Sequence, residues 1–434
     1  MMQIITEQFI TGIMSLGQKE MPPQVFFKAK ECLFDYLGIL IGGKKYLEEK
    51  HPELIISALS EGFLNGFAAH VLELDDGHRR GMIHLGASIV SAVLDAAKKD
   101  NLNSDHVLCG IVMGYEVAVR CACALQPGHK ERGYHVSGTC GSIGSAMGIA
   151  FARGYTKEQM KSTLACAVSS AAGVLEIQEQ ASELKPYNLG RATQAGVVAA
   201  QMGRLALPGP DDILGGKRGF LAALTDTPHL QYLTDFSVED YAIEGIYQKV
   251  YAACRHCHPA IDATLDIRNN IHLKPEQVEK IEVHTYKLAV GSHDHTKIHG
   301  ISSAKLSTPF SVALAIVKGS AGYADFNEKS LEDYWVKTLT QKVRIIEDEE
   351  LTQYSPAVRG AKVFVHLKDG SVCEASCMYP KGEPENPLSC EELEDKFIGL
   401  AMYGGMTKKE CDEVINEIWK EDFDLNKIMN IVCK

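Results

Sequence analysis

The sequence predicts a mainly α fold: an all-helical domain built from both ends of the chain, with an α+β domain inserted between them. Three observations carry this. Through the first half, apolar residues recur at helical spacing, and Ala, Gly and Ser fill the same stretches. After about Ile243 the pattern turns to alternating segments with a hairpin signal. After Ser389 helical spacing returns. The segments read as 1–243, 244–387 and 388–434, with the first and last in one domain.

Pro22–Pro23 opens a helix over QVFFKAKECLFDYLGILIGG that ends in glycines. Gly86–Lys99 is the next helix, and Ser104 is placed to cap SDHVLCGIVMGYEVAVRCACAL. Gly133–Ala152 carries no formal charge and has the length of a membrane span. Its Gly, Ser and His135 make it instead a loop and a packed small-residue helix. Thr156 and Gln159 form a capping box before an Ala-rich helix reaching about Ala172, and Leu189–Leu207 is a further small-residue helix. In the middle region Val278–Tyr286 alternates like a strand, and Lys342–Ile346 is a second candidate. Ala361–Lys368 and Ser371–Met378 flank Asp369–Gly370, a strong hairpin signal. Two helices, HPAIDATLDIRNN and SSAKLSTPFSVALAIVKG, lie among these strands. The tail reads as a helix over Ser389–Tyr403 and another over KKECDEVINEIWK, the latter with a Thr407–Glu410 capping box.

The 434 residues carry 44 Lys+Arg against 56 Asp+Glu, a formal charge of −12. A nucleic-acid or anionic-membrane binder would be basic, so neither partner is expected. Thirteen cysteines are scattered, often inside apolar runs, which fits free thiols in a reducing cytoplasm better than a disulfide framework. The N-terminal stretch has no basic region followed by a long apolar run, so no signal peptide is read.

Two stretches concentrate polar groups inside apolar sequence. Asn65–Ser88 brings together His70, Glu73, Asp75, Asp76, His78, Arg79, Arg80 and His84 between two helices, the setting of a site or of a solvated loop. Gly133–Thr139 places His135 just before a helix start, where an anion can meet unpaired N–H groups, or where the His is incidental. Lys185, before Pro186, is a candidate cation for a carboxylate. Cys254-Arg255-His256-Cys257-His258 matches the haem-attachment pattern, but that chemistry belongs to exported chains. A structural zinc wants four ligands, whereas Cys254, Cys257 and His258 supply three, so no metal is assigned. His293-Asp294-His295…His299 reads as a solvated loop. No Gly-x-Ser-x-Gly elbow or Gly-x-Gly-x-x-Gly turn is present. Histidines, carboxylates and a few cations suit proton chemistry at a carbon next to a carboxylate.

The motifs, taken in order, resemble the MmgE/PrpD family, which includes 2-methylcitrate dehydratase, cis-aconitate decarboxylase and iminodisuccinate epimerase. They are NGFAAHVLELDD with the downstream His84, GYHVSG, KPYNLGRATQAGVVAA leading to LPGPDDILGGKRGF, CRHCHPAIDA, and YPKGEPENPLS. The resemblance implies a large helical domain with a smaller α+β lid, a homodimer, a cleft between the two domains as the site, and no metal or organic cofactor. It implies His84, His135 and Lys185 as catalytic residues, with Arg255, His256 and His258 on the lid side of the substrate. The first acid of the family's Asp-x-Asp-Asp is here Glu73, Gly77 stands where many members have Thr or Ser, and the stretch to His84 is one residue longer than in the decarboxylase-like pattern. Phe310 stands where the decarboxylase and several dehydratases carry Tyr.

The resulting expectation is a cofactor-independent lyase of the dehydratase type, acting on a small di- or tricarboxylate by proton abstraction α to a carboxylate. Its catalytic residues are His84, His135, Lys185 and Glu73; Asp76, Arg255, His256, His258 and Phe310 bind substrate. The alternatives are a two-base epimerase, and a non-catalytic carboxylate-binding relative that the losses at Gly77 and Phe310 would suit.

Overall fold

A computed structural model describes residues 4–179, 182–237, 240–291 and 293–433. The chain is mainly helical and divides into two compact units. Unit 1 comprises residues 1–177, 184–246 and 389–434, and unit 2 comprises 178–183 and 247–388.

Among helices of eight residues or more, unit 1 contains α1 Ile5–Gln18, α2 Pro23–Lys50, α3 Glu61–Val71, α4 Gly86–Asp100, α5 Ser104–Leu125, α6 Val136–Ala152, α7 Lys157–Ser169 and α8 Tyr187–Gly203. The small-residue helix α6 is the centre of this unit: it packs against α4, α5, α7 and α8 and is buried along nearly its whole length. Glycines make this crowding feasible. A Cβ on Gly148 would stand 2.7 Å from the carbonyl oxygen of Gly110, and one on Gly114 would stand 2.9 Å from that of Gly144. Gly110 and Gly114 on α5 thus face Gly144 and Gly148 on α6, each pair one turn apart, so the two backbones touch directly. α1 and α3 lie outside the helices expected from the sequence. Among the described residues, α5 is the one helix long and apolar enough to cross a membrane, but 89% of its most apolar window is buried inside the protein.

Caps fix several helix starts. Asn103, not Ser104, caps α5: its Oδ1 accepts from the His106 N–H at 3.0 Å, and Ser104 is already helical. Thr156 and Gln159 form the expected reciprocal box, although α7 stops at Ser169, short of Ala172.

In unit 2 four strands form one sheet: β1 Val278–Thr285, β2 Val343–Glu347, β3 Ala361–Leu367 and β4 Val372–Cys377, in the order β2-β1-β3-β4. β1 runs parallel to β2, with Ile281 opposite Val343, and antiparallel to β3, with Val283 opposite Val363. The β3–β4 turn is the expected Asp369–Gly370 hairpin: Gly370 sits at φ +88, and the Asp369 carboxylate accepts from the Ser371 N–H at 2.9 Å. Helix α9, His258–Ile271, packs on β3 and β4. The stretch SSAKLSTPFSVALAIVKG is not one helix. It breaks into Ile301–Lys305 and α10, Thr308–Lys318, because the Ser307 hydroxyl accepts from the Phe310 N–H at 3.1 Å and starts a new helix, and Pro309 has no N–H to continue the old one.

The tail adds α11 Cys390–Tyr403, α12 Lys408–Ile418 and α13 Leu425–Val432 to unit 1. The first two open on complete capping boxes, Ser389–Glu392 and Thr407–Glu410. Lys396 on α11 locks the tail to the body: its ammonium lies 2.6 Å from the buried Asp35 carboxylate and donates to the Leu74 carbonyl at 3.1 Å. All thirteen cysteines are free thiols.

Gly148→Ala should destabilise the protein by roughly 1–3 kcal/mol, because the added methyl must displace the α5 backbone. Gly62→Ala, whose Cβ would make only ordinary contacts with the Thr193 methyl at 3.5 Å and Asp95 Cγ at 3.9 Å, should be neutral or stabilising. Urea denaturation of both variants checks the contrast; equal loss from both would contradict the close helix contact.

Candidate active site

The polar loop between α3 and α4 is anchored by Asp76. One carboxylate oxygen accepts from the backbone N–H groups of Gly86 (2.8 Å) and Leu85 (3.3 Å), at the start of α4, and the other accepts from the Tyr115 hydroxyl at 2.6 Å. Burial pushes this carboxyl up to about 6, against the opposing pull of the Tyr115 and backbone hydrogen bonds. Asp76, expected at the substrate, therefore has both oxygens engaged in holding the loop.

This loop and the end of α3 carry a buried polar chain. Lys185, just before α8, places its ammonium 2.5 Å from Glu73 Oε1. Glu73 Oε1 lies 3.6 Å from His70 Nε2, and His70 Nδ1 is 2.8 Å from Asp75 Oδ2. The same Asp75 oxygen is 3.5 Å from His84 Nδ1. Glu73 sits at φ +58, a left-handed conformation that costs a non-glycine residue on the order of 1 kcal/mol. Such strain persists only where surrounding contacts hold it, here the ion pair to Lys185.

His84 and His135 have different hydrogen-bond partners, and these set their tautomers. His84 Nδ1 donates to the Asp76 carbonyl at 2.8 Å, so its lone pair is on Nε2. The Asp75 carboxylate beside Nδ1 favours the protonated ring once Nε2 takes a proton. The His84 N–H donates to the Ser137 hydroxyl at 3.0 Å, which ties the loop to the first turn of α6. His135, at the start of α6, receives a hydrogen bond at Nδ1 from the Asn188 amide on α8 at 2.9 Å, which puts the ring proton on Nε2. Burial holds the His135 pKa well below the ordinary histidine value, with the Lys185 charge as the next contribution, so this ring is neutral at pH 7. The site thus pairs a histidine able to accept a proton with a neutral histidine able to donate a hydrogen bond.

His70, Asp75 and His84 also have the residue types and proximity of a metal triad, their ligand atoms lying within 4.8 Å of one another. The His84 Nδ1–H is engaged by the Asp76 carbonyl, so the lone pair His84 offers is on Nε2.

The remaining expected residues lie in unit 2. Arg255 is buried and saturated: its guanidinium donates to Glu383 Oε1 at 3.0 and 2.8 Å, to the carbonyls of Lys381 and Pro380, and to His258 Nδ1 at 2.8 Å, and it lies over the Tyr247 ring. His258 is fully buried, and its other nitrogen donates to the Ala253 carbonyl. These two residues clamp the segment around Glu383 to the start of α9. Phe310 is buried with its ring on Phe326, 6.0 Å between centroids. His256 alone of the four is partly exposed; its Nδ1 meets the Tyr286 hydroxyl and its ring stacks on His293. His293 is itself buried and hydrogen-bonded, so the reading of its segment as a solvated loop is corrected there.

Sequence reasoning named His70 and Asp75 but gave them no role, and it missed Asn188 and the buried cations Lys249, Lys305 and Arg359. A lysine inside an apolar run, as in YQKVYAA, is the signal that was available for Lys249.

Fold and site together define a helical protein with a buried acid–base cluster. The MmgE/PrpD N-terminal domain matches residues 51–233, and the MmgE/PrpD C-terminal domain matches residues 251–421. The chain belongs to the MmgE/PrpD family. It is similar to the curated cis-aconitate decarboxylase of Homo sapiens, 23% identical over 443 residues, covering 92% of this chain and 88% of that protein. The Mus musculus cis-aconitate decarboxylase is also 23% identical, over 435 residues covering 92% and 86%.

The buried histidines make stability depend on pH. His129, whose ring lies flat on Tyr134 and meets Thr139 Oγ1 at 2.8 Å, is lowered by burial to about 4. The unfolded chain protonates it near 6.5, so its stabilising contribution is full above about pH 6.5 and is lost as pH falls toward about 4. A His129→Gln variant should be less stable than wild type at pH 8, and the gap should shrink by up to about 3 kcal/mol by pH 4. Asp35 and Asp76, raised to about 6, act in the opposite direction in both proteins and cancel in the difference. A gap constant with pH would rule out a neutral buried His129.

Proposed function

We propose that this protein is a cofactor-independent lyase of the dehydratase type, acting on a small di- or tricarboxylic acid as a homodimer in a reducing cytoplasm. The observation that carries the reading is the pair of fixed tautomers, with an accepting Nε2 on His84 and a donating Nε2–H on neutral His135. His84 takes the proton α to a carboxylate, and Asp75 stabilises the imidazolium that forms. The electron pair moves into that carboxylate, whose developing charge His135 meets with its Nε2–H. The pair then returns to form the C=C bond as the β C–O bond breaks. The hydroxyl leaves as water with a proton from Lys185, whose ammonium Glu73 holds in place. Asp76 and Asn188 are positioning residues in this scheme.

His84→Ala and His135→Ala should each lower kcat by roughly 10²–10⁴-fold while leaving the fold intact. The assay is NMR in D₂O with citrate, methylcitrate, tartrate, iminodisuccinate and cis-aconitate. A new vinyl signal supports elimination. Solvent deuterium entering the substrate with no net change supports the epimerase instead. Near wild-type turnover in either variant would refute its role.

The curated relatives are named for decarboxylation of cis-aconitate. That reaction needs a proton delivered to carbon after CO₂ leaves, and Phe310 offers no hydroxyl for it. Cis-aconitate should therefore yield no itaconate at an enzymatic rate, on the order of 1 s⁻¹ or more. Itaconate formed at that rate would reassign the protein as a decarboxylase.

A further inference from the structure

Two sequence motifs that the reaction scheme does not use meet in unit 2. Cys254 comes from the Cys-Arg-His-Cys-His segment, and His293 from the His-Asp-His run 39 residues later. Cys254 Sγ lies 3.7 Å from His293 Nε2, and the His256 ring stacks on His293 with centroids 4.9 Å apart and 21° between planes. One ligand atom from each of the three lies within 4.8 Å of the other two.

From this geometry we infer that Cys254, His256 and His293 form a binding site for a thiophilic divalent cation of the zinc class. Zinc bonds to sulfur at about 2.3 Å and to imidazole nitrogen at about 2.0–2.1 Å, so a tetrahedral centre separates S and N by about 3.6 Å. The observed Cys254–His293 spacing is that edge before any movement. The outer contacts are those that metal-binding histidines need. His293 Nδ1 donates to the Leu306 carbonyl at 2.9 Å, which leaves its lone pair on the Nε2 that faces the sulfur. His256 Nδ1 is 2.6 Å from the Tyr286 hydroxyl, which can accept its proton and so leave Nε2 as the metal-facing atom.

The scaffold is set in advance. The Cys254 N–H donates to the Lys305 carbonyl at 2.8 Å, and the Thr308 N–H donates to the His293 carbonyl at 2.8 Å. Both ligand segments are thereby tied to the turn between Ile301–Lys305 and α10. Cys257 and His258, which sequence spacing would pair with Cys254, are committed elsewhere: the Cys257 sulfur accepts from the Thr308 hydroxyl, and both His258 nitrogens are engaged by Arg255 and Ala253. A simple Cys–His dyad would need no third ligand stacked beside it. One thiolate and two imidazoles, with no carboxylate in the set, select zinc-class ions over magnesium or calcium. Cys254 and His256 are partly exposed, which leaves entry for the ion and a fourth position for water or an oxygen ligand. Binding releases the Cys254 proton to solvent. The elimination proposed above runs through no atom of this site.

The test uses the full chain, freed of any His tag. Dialysis against Zn²⁺ followed by elemental analysis should give one zinc per chain, and Co²⁺ should give a thiolate-to-metal charge-transfer band. Cys254→Ser, His256→Gln and His293→Gln should each weaken Zn²⁺ binding by at least about 10-fold, a loss that removal of an outer contact alone produces. Cys390→Ser and Cys433→Ser, at exposed thiols, should change nothing. X-ray absorption on the zinc-loaded wild type needs no variant to fold, and it should show one sulfur and two imidazole nitrogens. No binding, a shell without sulfur, or binding unchanged by Cys254→Ser would each overturn the site. All of these readouts are independent of turnover, so the reaction scheme stands or falls separately.

Discussion

The carboxylate of Asp76 is the contact on which the polar loop of the helical unit depends. Three protein donors converge on it: two backbone N–H groups at the start of α4 and the Tyr115 hydroxyl from α5. Burying a carboxylate costs several kcal/mol unless such bonds offset it, and the rise to about 6 is the remaining cost. With the loop fixed there, the Asp76 carbonyl selects the His84 tautomer, and Asp75 next to it bridges His70 and His84. One residue thus sets the backbone path, the orientation of one histidine and the tautomer of its ring.

The second fixed element is α6, and its position follows from small side chains rather than large ones. Gly144 and Gly148 let it lie against α5, and Gly196 on α8 brings that helix equally close to Ser145. Close axes bring the start of α6 beside the start of α8, so that Asn188 reaches His135. Larger side chains at these glycines would clash with the facing helix and push the axes apart. The His135–Asn188 contact therefore depends on glycines elsewhere along these helices.

In unit 2 the same short motif serves two ends. Arg255 and His258 face inward and clamp the Glu383 segment, with all their polar atoms bonded within the protein. Cys254 and His256, alternating with them, face His293. A tight 3₁₀ turn over Arg255–Cys257 produces this division, because it sends successive side chains in different directions.

The sequence by itself determined most element types and where the acid–base residues concentrate. Helical spacing, capping boxes and the Asp-Gly turn are local signals, and the corresponding helices and hairpin form where those signals stand. The concentration of His and carboxylate residues around His70–His84 was equally legible. Tertiary structure decided what each polar residue does. Asp75 and Asp76 are neighbours with the same side chain, yet one bridges two histidines while the other holds a helix start. His256 and His258 differ in whether they lie beside His293 or beneath Arg255. The break at Ser307 and the meeting of Cys254 with His293 also escaped the sequence. A side chain's direction depends on backbone turns and on partners tens of residues away, and neither composition nor spacing encodes that distance.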